Sequence, residues 1–159
     1  MLNNGLRWLG VSAIILLLDQ LTKQMAQQHL IAYLEYPVIP GFNLTLSYNK
    51  GAAFSFLHYA QGWQVWFFGI IALAVSVAII IWLSRLSWRQ YGTCAALSLI
   101  VGGALGNLCD RIHYGHVIDF IQLYVAHFYW PTFNIADSAI CVGAVLLLVL
   151  SLFKKEPKT

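Results

Sequence analysis

Charge is what this chain has least of. Its 159 residues include 6 acids and 9 lysines or arginines, 9% in all against 60% hydrophobic residues, whereas soluble domains carry about 25% charged residues. So few charges exclude a water-soluble surface of the usual kind. The composition indicates an integral membrane protein, and the length suits one compact unit. Cysteine is scarce too. The 3 cysteines, Cys94, Cys109 and Cys141, all fall in apolar runs, and an odd count at this spacing argues against a disulfide framework or a zinc site. Each is expected to be a small buried hydrophobe. A His-Glu-x-x-His motif is missing, and His113 and His116 are expected as a bare pair in a surface loop, so no metal and no other cofactor is implied. The one Gly-x-Ser, at 10–12, has no histidine in any span to serve as its base. The start, "MLNNGLR" and then an apolar stretch, outlines a signal peptide but lacks a small-x-small cleavage site, so a retained anchor is expected. Internal repeats and low-complexity segments are absent.

What is present is apolar length. The run 63–83 is broken only by Gln64, Gly69 and Ser76; the run 92–109 is rich in small residues; the run 135–153 contains Asp137. Each is about as long as the roughly 20 helical residues that cross a bilayer. A fourth run, 6–18, is interrupted by Arg7 and too short. It spans only if its helix continues through "DQLTKQMA" with the polar groups turned toward protein. Spans at about 7–28, 63–84, 91–110 and 135–153 follow, with outer loops at about 29–62 and 111–134. Arg7, Arg85, Arg89, Lys154, Lys155 and Lys158 then fall on one side. The positive-inside rule makes that side, with both termini, cytoplasmic. The basic balance needs no nucleic acid to explain it. The expected fold is an all-α membrane protein, residues 1–159 as a single domain, with four transmembrane helices and a small extracytoplasmic β-sheet cradle.

The sheet is read from the loops. "YPVIPGFNLTLSYN" offers a turn at Pro40-Gly41, then alternates Phe42, Leu44, Leu46 and Tyr48 with Asn43, Thr45 and Ser47. That period of two predicts a strand with one apolar face. In "HVIDFIQLYVAHFYWPTFN" the pattern is ambiguous between strand and amphipathic segment. As a strand it puts Val117, Asp119, Ile121, Leu123 and Val125 on one face.

Acids near a membrane are costly, about 2.5–3.5 kcal/mol at a helix centre on insertion scales. Asp19 and Lys23, four apart, share a helix face and are expected to pair. Gly103, Asn107, Asp110 and Arg111 share a face of the third helix, beside a Gly102/Gly106 spacing that permits close helix approach. Asp110 there could cap, clamp helices together or meet a ligand; Arg111, the one arginine of the outer side, presents a planar fork suited to a peptide carbonyl or a lipid headgroup. Asp119 and Asp137 have no cation at helical spacing. They are either helix N-caps or inter-helix hydrogen-bond groups, or else a carboxylate dyad, in which like charges share one proton and hydrolyse an amide with water. Spacing alone leaves both readings open. A third, a small proton- or cation-conducting protein with the aspartates as relay, lacks acids toward the other membrane face.

Five blocks in order bear on that choice. "DQLTK" (19–23), "NKGAAFS" (49–55), "GNLCDR" (106–111), "GHVIDF" (115–120) and "FNIADS" (133–138) resemble the motifs of the lipoprotein signal peptidase family, the bacterial signal peptidases II, which are intramembrane aspartic proteases. The resemblance implies Asp119 and Asp137 as catalytic. It implies Asp19, Lys23, Asn49, Gly51, Asn107, Asp110, Arg111, Asn134 and Ala136 as site support or substrate contacts. It further implies a diacylglyceryl-prolipoprotein substrate cleaved before its lipidated cysteine, a place in the bacterial inner membrane among lipid, and inhibition by the cyclic peptide globomycin. Gly51, Ala52 and Ala53 are then expected to let backbone approach substrate closely.

Overall fold

A computed structural model describes residues 4–51 and 62–153. Ala52 and Ala53, and Lys154, Lys155 and Lys158, lie outside the described residues. After a 3-10 turn at Gly5–Trp8 come four helices long and apolar enough to span a membrane: α1 (Leu9–His29), α2 (Trp63–Arg85), α3 (Tyr91–Tyr114) and α4 (Ile135–Leu152). The first continues through "DQLTKQMA", with Asp19 and Lys23 buried at 0% and 1% exposure. The outward surface of the bundle is apolar, unlike that of a soluble one. Ile14 and Leu17 of α1, Trp66 and Ile70 of α2, and Val145 and Leu148 of α4 face outward, as lipid solvent permits.

Helix α3 is the axis, packed on all three others. With α2 it shares an apolar core of Ile79, Leu83, Cys94, Leu97 and Val101. Toward α1 and α4 its surface is small. A Cβ on Gly102 would come within 2.8 Å of the Ser12 carbonyl oxygen, one on Gly106 within 2.5 Å of the Asp19 carboxylate, and one on Gly103 would strike the Ala136 carbonyl. Helices without a water-driven force between them depend on such close backbone approach. Cys141 departs from expectation: it is exposed on the outer side of α4, because it falls off the stripe that faces α3.

Four antiparallel strands, β1 (Glu35–Ile39), β2 (Phe42–Asn49), β3 (Val117–Val125) and β4 (Phe128–Tyr129), lie side by side in that order. The second loop is therefore a strand, and one buried on both faces at Val117–Phe120; Ile118 and Phe120 pack with Ala26 and Leu46. The expected single apolar face of β2 is not what forms. Its register against β3 shifts between Leu44 and Ser47, so Thr45 and Leu46 are buried in succession while Tyr48 turns outward. A bulge of this kind breaks the alternation and bends the strand. His113 also departs from expectation: it lies in the last turn of α3, which outlasts its apolar run, with Nδ1 2.9 Å from the Cys109 carbonyl oxygen.

The glycine contacts define a test. Gly103→Ala should destabilise the detergent-solubilised protein by about 1–3 kcal/mol through overpacking against α4. Gly10→Ala, at a position with open space around it, should leave thermal unfolding unchanged or raise stability by up to about 1 kcal/mol.

Candidate active site

A buried lysine organises the polar interior. The Lys23 ammonium lies 2.8 Å from Asp19 Oδ2, 2.8 Å from Asp110 Oδ2 and 2.9 Å from Asn107 Oδ1. An ammonium has three N–H donors, and each has an acceptor. Burying such a charge is tolerable only when it is paired and hydrogen-bonded. Both carboxylates also hold backbone, Asp19 through its other oxygen and Asp110 through the same oxygen that meets the ammonium. Asp19 Oδ1 accepts the Ala136 N–H at 2.9 Å, and Asp110 Oδ2 accepts the Ile118 N–H at 3.0 Å. Each thus holds the backbone one residue before Asp137 or Asp119. Gln20 closes the cluster, its amide donating to Asp110 Oδ1 at 2.9 Å, to the Gly106 carbonyl at 3.2 Å and to Asp19 Oδ2 at 3.3 Å. Sequence reasoning passed over Gln20; its one signal was a polar amide between two charged positions of an otherwise apolar span.

Asn134 brings the other two aspartates together. As N-cap of α4 its Oδ1 accepts the Asp137 N–H at 2.9 Å, while the Asp137 carboxylate accepts the Asn134 N–H at 3.3 Å, a reciprocal capping box. Its Nδ2 donates to Asp119 Oδ1 at 2.7 Å and, at 3.2 Å, to the Ile118 carbonyl and to Asn107 Oδ1. Capping is therefore part of what Asp137 does, but only part. Backbone pairing explains why Asn134 arrives there: Phe133 exchanges hydrogen bonds with Ile121 of β3, 3.0 Å one way and 2.9 Å the other. Asn107 completes the link, accepting from Lys23 and donating to Asp137 Oδ1 at 2.7 Å.

Asp119 is 1% exposed. Its second oxygen accepts from Asn49 Nδ2 at 3.1 Å, and those two amide donors favour the ionised form. Burial outweighs them, and the Asp137 charge adds to it, so the Asp119 carboxyl is pushed up from 3.8 to about 7. Asp137 sits in the first turn of α4, where the helix dipole favours negative charge. Two carboxyl groups in unlike environments, near enough to sense each other, suit shared-proton acid–base work.

The remaining candidates ring this pair. Gly51, at φ +106, presents its N–H to Asn49 Oδ1 at 2.8 Å, a conformation few side chains adopt. Arg111 is half-buried at the end of α3. Its Nη1 donates to the Asn107 carbonyl at 3.2 Å, its guanidinium is 5.8 Å from the Phe68 ring centroid, and Asp137, Asp110 and Asp119 are within its electrostatic reach. Ala136 is fully buried between α1 and α3. A groove of about 1150 Å³ opens beside Asp137 and Asn49, walled by Phe42, Leu123, Phe128 and Phe133 on one side and by Ser138 and Cys141 of α4 on the other.

Known proteins resemble this one closely. Residues 11–153 match the family model for signal peptidase (SPase) II. A lipoprotein signal peptidase of Photorhabdus laumondii is 49% identical over 99% of this chain and 94% of its own. One of Xylella fastidiosa is 50% identical over 98% of this chain and 95% of its own. A bacterial membrane enzyme solved by the in meso method at 1.9 Å superposes with a TM-score of 0.82 at 29% identity, covering 98% of this chain and 99% of its own.

The lysine cluster has a measurable consequence. Lys23→Met leaves two carboxylates buried without a cation and should cost about 3–5 kcal/mol. Adding Asp19→Asn and Asp110→Asn should recover part of that loss in thermal unfolding, since the uncompensated charge is then gone.

Proposed function

Because the chain belongs to the signal peptidase II family, and is therefore a membrane protease that removes signal peptides from prolipoproteins, we propose that Asp119 and Asp137 form its catalytic pair and act through water, as in an aspartic protease. The observation that carries this reading is the meeting of both carboxyl groups on Asn134, beside an apolar groove, with Asp119 pushed up to about 7. Asp137, ionised, takes a proton from water as the hydroxyl adds to the scissile carbonyl carbon. Asp119, protonated, passes its proton to the carbonyl oxygen. On collapse of the tetrahedral intermediate the C–N bond breaks. The leaving nitrogen takes the proton held by Asp137, and a hydroxyl of the intermediate returns one to Asp119. The pair ends as it began, with no covalent intermediate.

The substrate on this reading is a prolipoprotein whose cysteine already carries diacylglycerol, cut just before that cysteine. Its acyl chains stay with the membrane lipid while the extended peptide lies in the groove between the sheet and α4; a globomycin-like cyclic peptide would compete for the same apolar walls. Asp19, Lys23, Asn107, Asp110, Asn134 and Ala136 hold the pair in place. Asn49 lines the groove, and with it Gly51 and Arg111 are assigned to the incoming backbone. Arg7, Arg85 and Arg89 cluster at the end of the bundle remote from the pair, which supports an inner-membrane protein with cytoplasmic termini and its site toward the outer face.

Asp119→Asn and Asp137→Asn should each lower kcat for a lipidated precursor by roughly 10²- to 10⁴-fold, with membrane insertion and melting retained; undiminished cleavage by either variant removes it from the pair. The rate should follow a bell in pH, its alkaline limb falling near 7 as Asp119 loses its proton. Stability carries the same signature. A carboxyl raised from 3.8 to about 7 binds more protons folded than unfolded between those values. This group therefore makes stability fall as pH rises through that window and level off above it. Asp119→Asn should flatten that slope in unfolding measured across the pH series.

A further inference from the structure

The end of the bundle remote from the aspartates holds a second construction, one that peptide cleavage does not use. Arg7, Trp8, Val11, Trp88 and Tyr91 line a shallow, open cavity of about 450 Å³. The Arg7 guanidinium is 5.4 Å from the Trp88 ring centroid and that of Arg89 is 5.7 Å from the same ring. One indole thus attracts two cations, and two like charges are gathered about a single ring. The frame beneath them is fixed. The Trp8 indole N–H donates to the Trp88 carbonyl at 3.1 Å, the Tyr91 ring lies 6.2 Å from that of Trp8 and 5.7 Å from that of Trp88, and the Gly5 N–H donates to the Leu86 carbonyl at 2.8 Å.

Among the described residues no acid stands at this end to neutralise the two guanidinium groups. Asp19, Asp110, Asp119 and Asp137 are gathered at the other end of the helices, and Glu35 is on β1. Two cations close together, Arg7 in the lining and Arg89 beside its Trp88 wall, attract an anion. The planar fork of arginine matches phosphate oxygens two at a time. The Trp88 ring N–H and the Tyr91 hydroxyl make no hydrogen bond among the described residues, which leaves further donors for the same oxygens. The cavity lies where α1 and α3 begin and α2 ends, at the level where tryptophan and tyrosine meet lipid headgroups. A headgroup bearing an amine fits less well: its cation meets two like charges, and the indole that would cage it is already taken by the arginines.

We propose that Arg7 and Arg89, with the Trp8–Trp88–Tyr91 cluster, form a binding site for the phosphodiester headgroup of an anionic membrane lipid, on the membrane face opposite Asp119 and Asp137.

The full chain, purified in detergent, tests this by lipid retention in native mass spectrometry and by the shift in melting temperature. The probes are phosphatidylglycerol, phosphatidylcholine and inorganic phosphate. Phosphatidylglycerol should be retained and should raise the melting temperature more than phosphatidylcholine does. Arg7→Gln and Arg89→Gln should each weaken its binding roughly five-fold, the effect of about 1 kcal/mol per basic residue at a charged membrane surface. Arg85→Gln removes a charge from the same end of the bundle without touching the cavity, and should leave binding unchanged. Melting of each variant without lipid separates lost binding from lost folding, and Arg7→Lys with Arg89→Lys, which keeps the charge but not the fork, should fall between wild type and the glutamine variants. Equal loss in Arg85→Gln would assign the effect to diffuse charge and overturn the site. Equal retention of phosphatidylcholine would overturn it as well. Stabilisation by inorganic phosphate through the same two arginines, as strong as by the lipid, would assign the site to a soluble anion instead.

Discussion

The structure depends on one buried ammonium. Lys23 lies between Asp19 and Asp110, and those two carboxylates reach past it to the Ala136 and Ile118 N–H groups. Through these contacts a charge on α1 sets where α4 starts and where β3 starts, and so where Asp137 and Asp119 stand. In an apolar interior the arrangement is strongly cooperative, because any member left alone is a buried charge or an unmet hydrogen bond. The same cost that makes ionisable groups rare in membranes makes their positions here well defined.

Helix α3 makes such contacts geometrically feasible. Its glycines at 102, 103 and 106 bring α1 and α4 to backbone distance, and Gly106 leaves room for the Asp19 carboxylate itself. The sheet supplies what helices alone could not. The pairing of Phe133 with Ile121 sets Asn134 against Asp119, and β1–β2 with β3–β4 raise one wall of the groove whose other wall is α4. Hydrolysis at a membrane surface needs a dry bed for an apolar peptide and a polar point where water can act. Here the groove adjoins Asp137, and the polar groups behind it are satisfied by protein.

Much of this was legible beforehand. Apolar run length marked four spans, the four-residue spacing of Asp19 and Lys23 marked their pairing, and the missing helical cations at Asp119 and Asp137 set those two apart. Other elements were not legible. The alternation in "FNLTLSYN" pointed to a single apolar face, yet the bulge after Leu44 buries Thr45 and Leu46 together. A bulge answers the partner strand's register, which is absent from the local pattern. Cys141 reads like Cys94, but one faces outward and the other is core, a difference made by helix rotation against α3. Nothing in the local pattern sets Gln20 apart from its polar neighbours, and only the approach of Asp110 from α3 gives its amide a role.

By itself, then, the sequence determined that the chain is a membrane protein with few and costly charges, because hydrophobic length and charge scarcity are sums over residues and need no partner. Which oxygen meets which donor was decided by tertiary structure. Asp119 is held by Asn134 and Asn49, Asp137 by Asn107 and its own cap, and Asp119 titrates near neutrality. Burial and charge coupling depend on distances between segments far apart in the chain, and those distances exist only after α3 has drawn α1 and α4 together and β3 has been laid beside the start of α4.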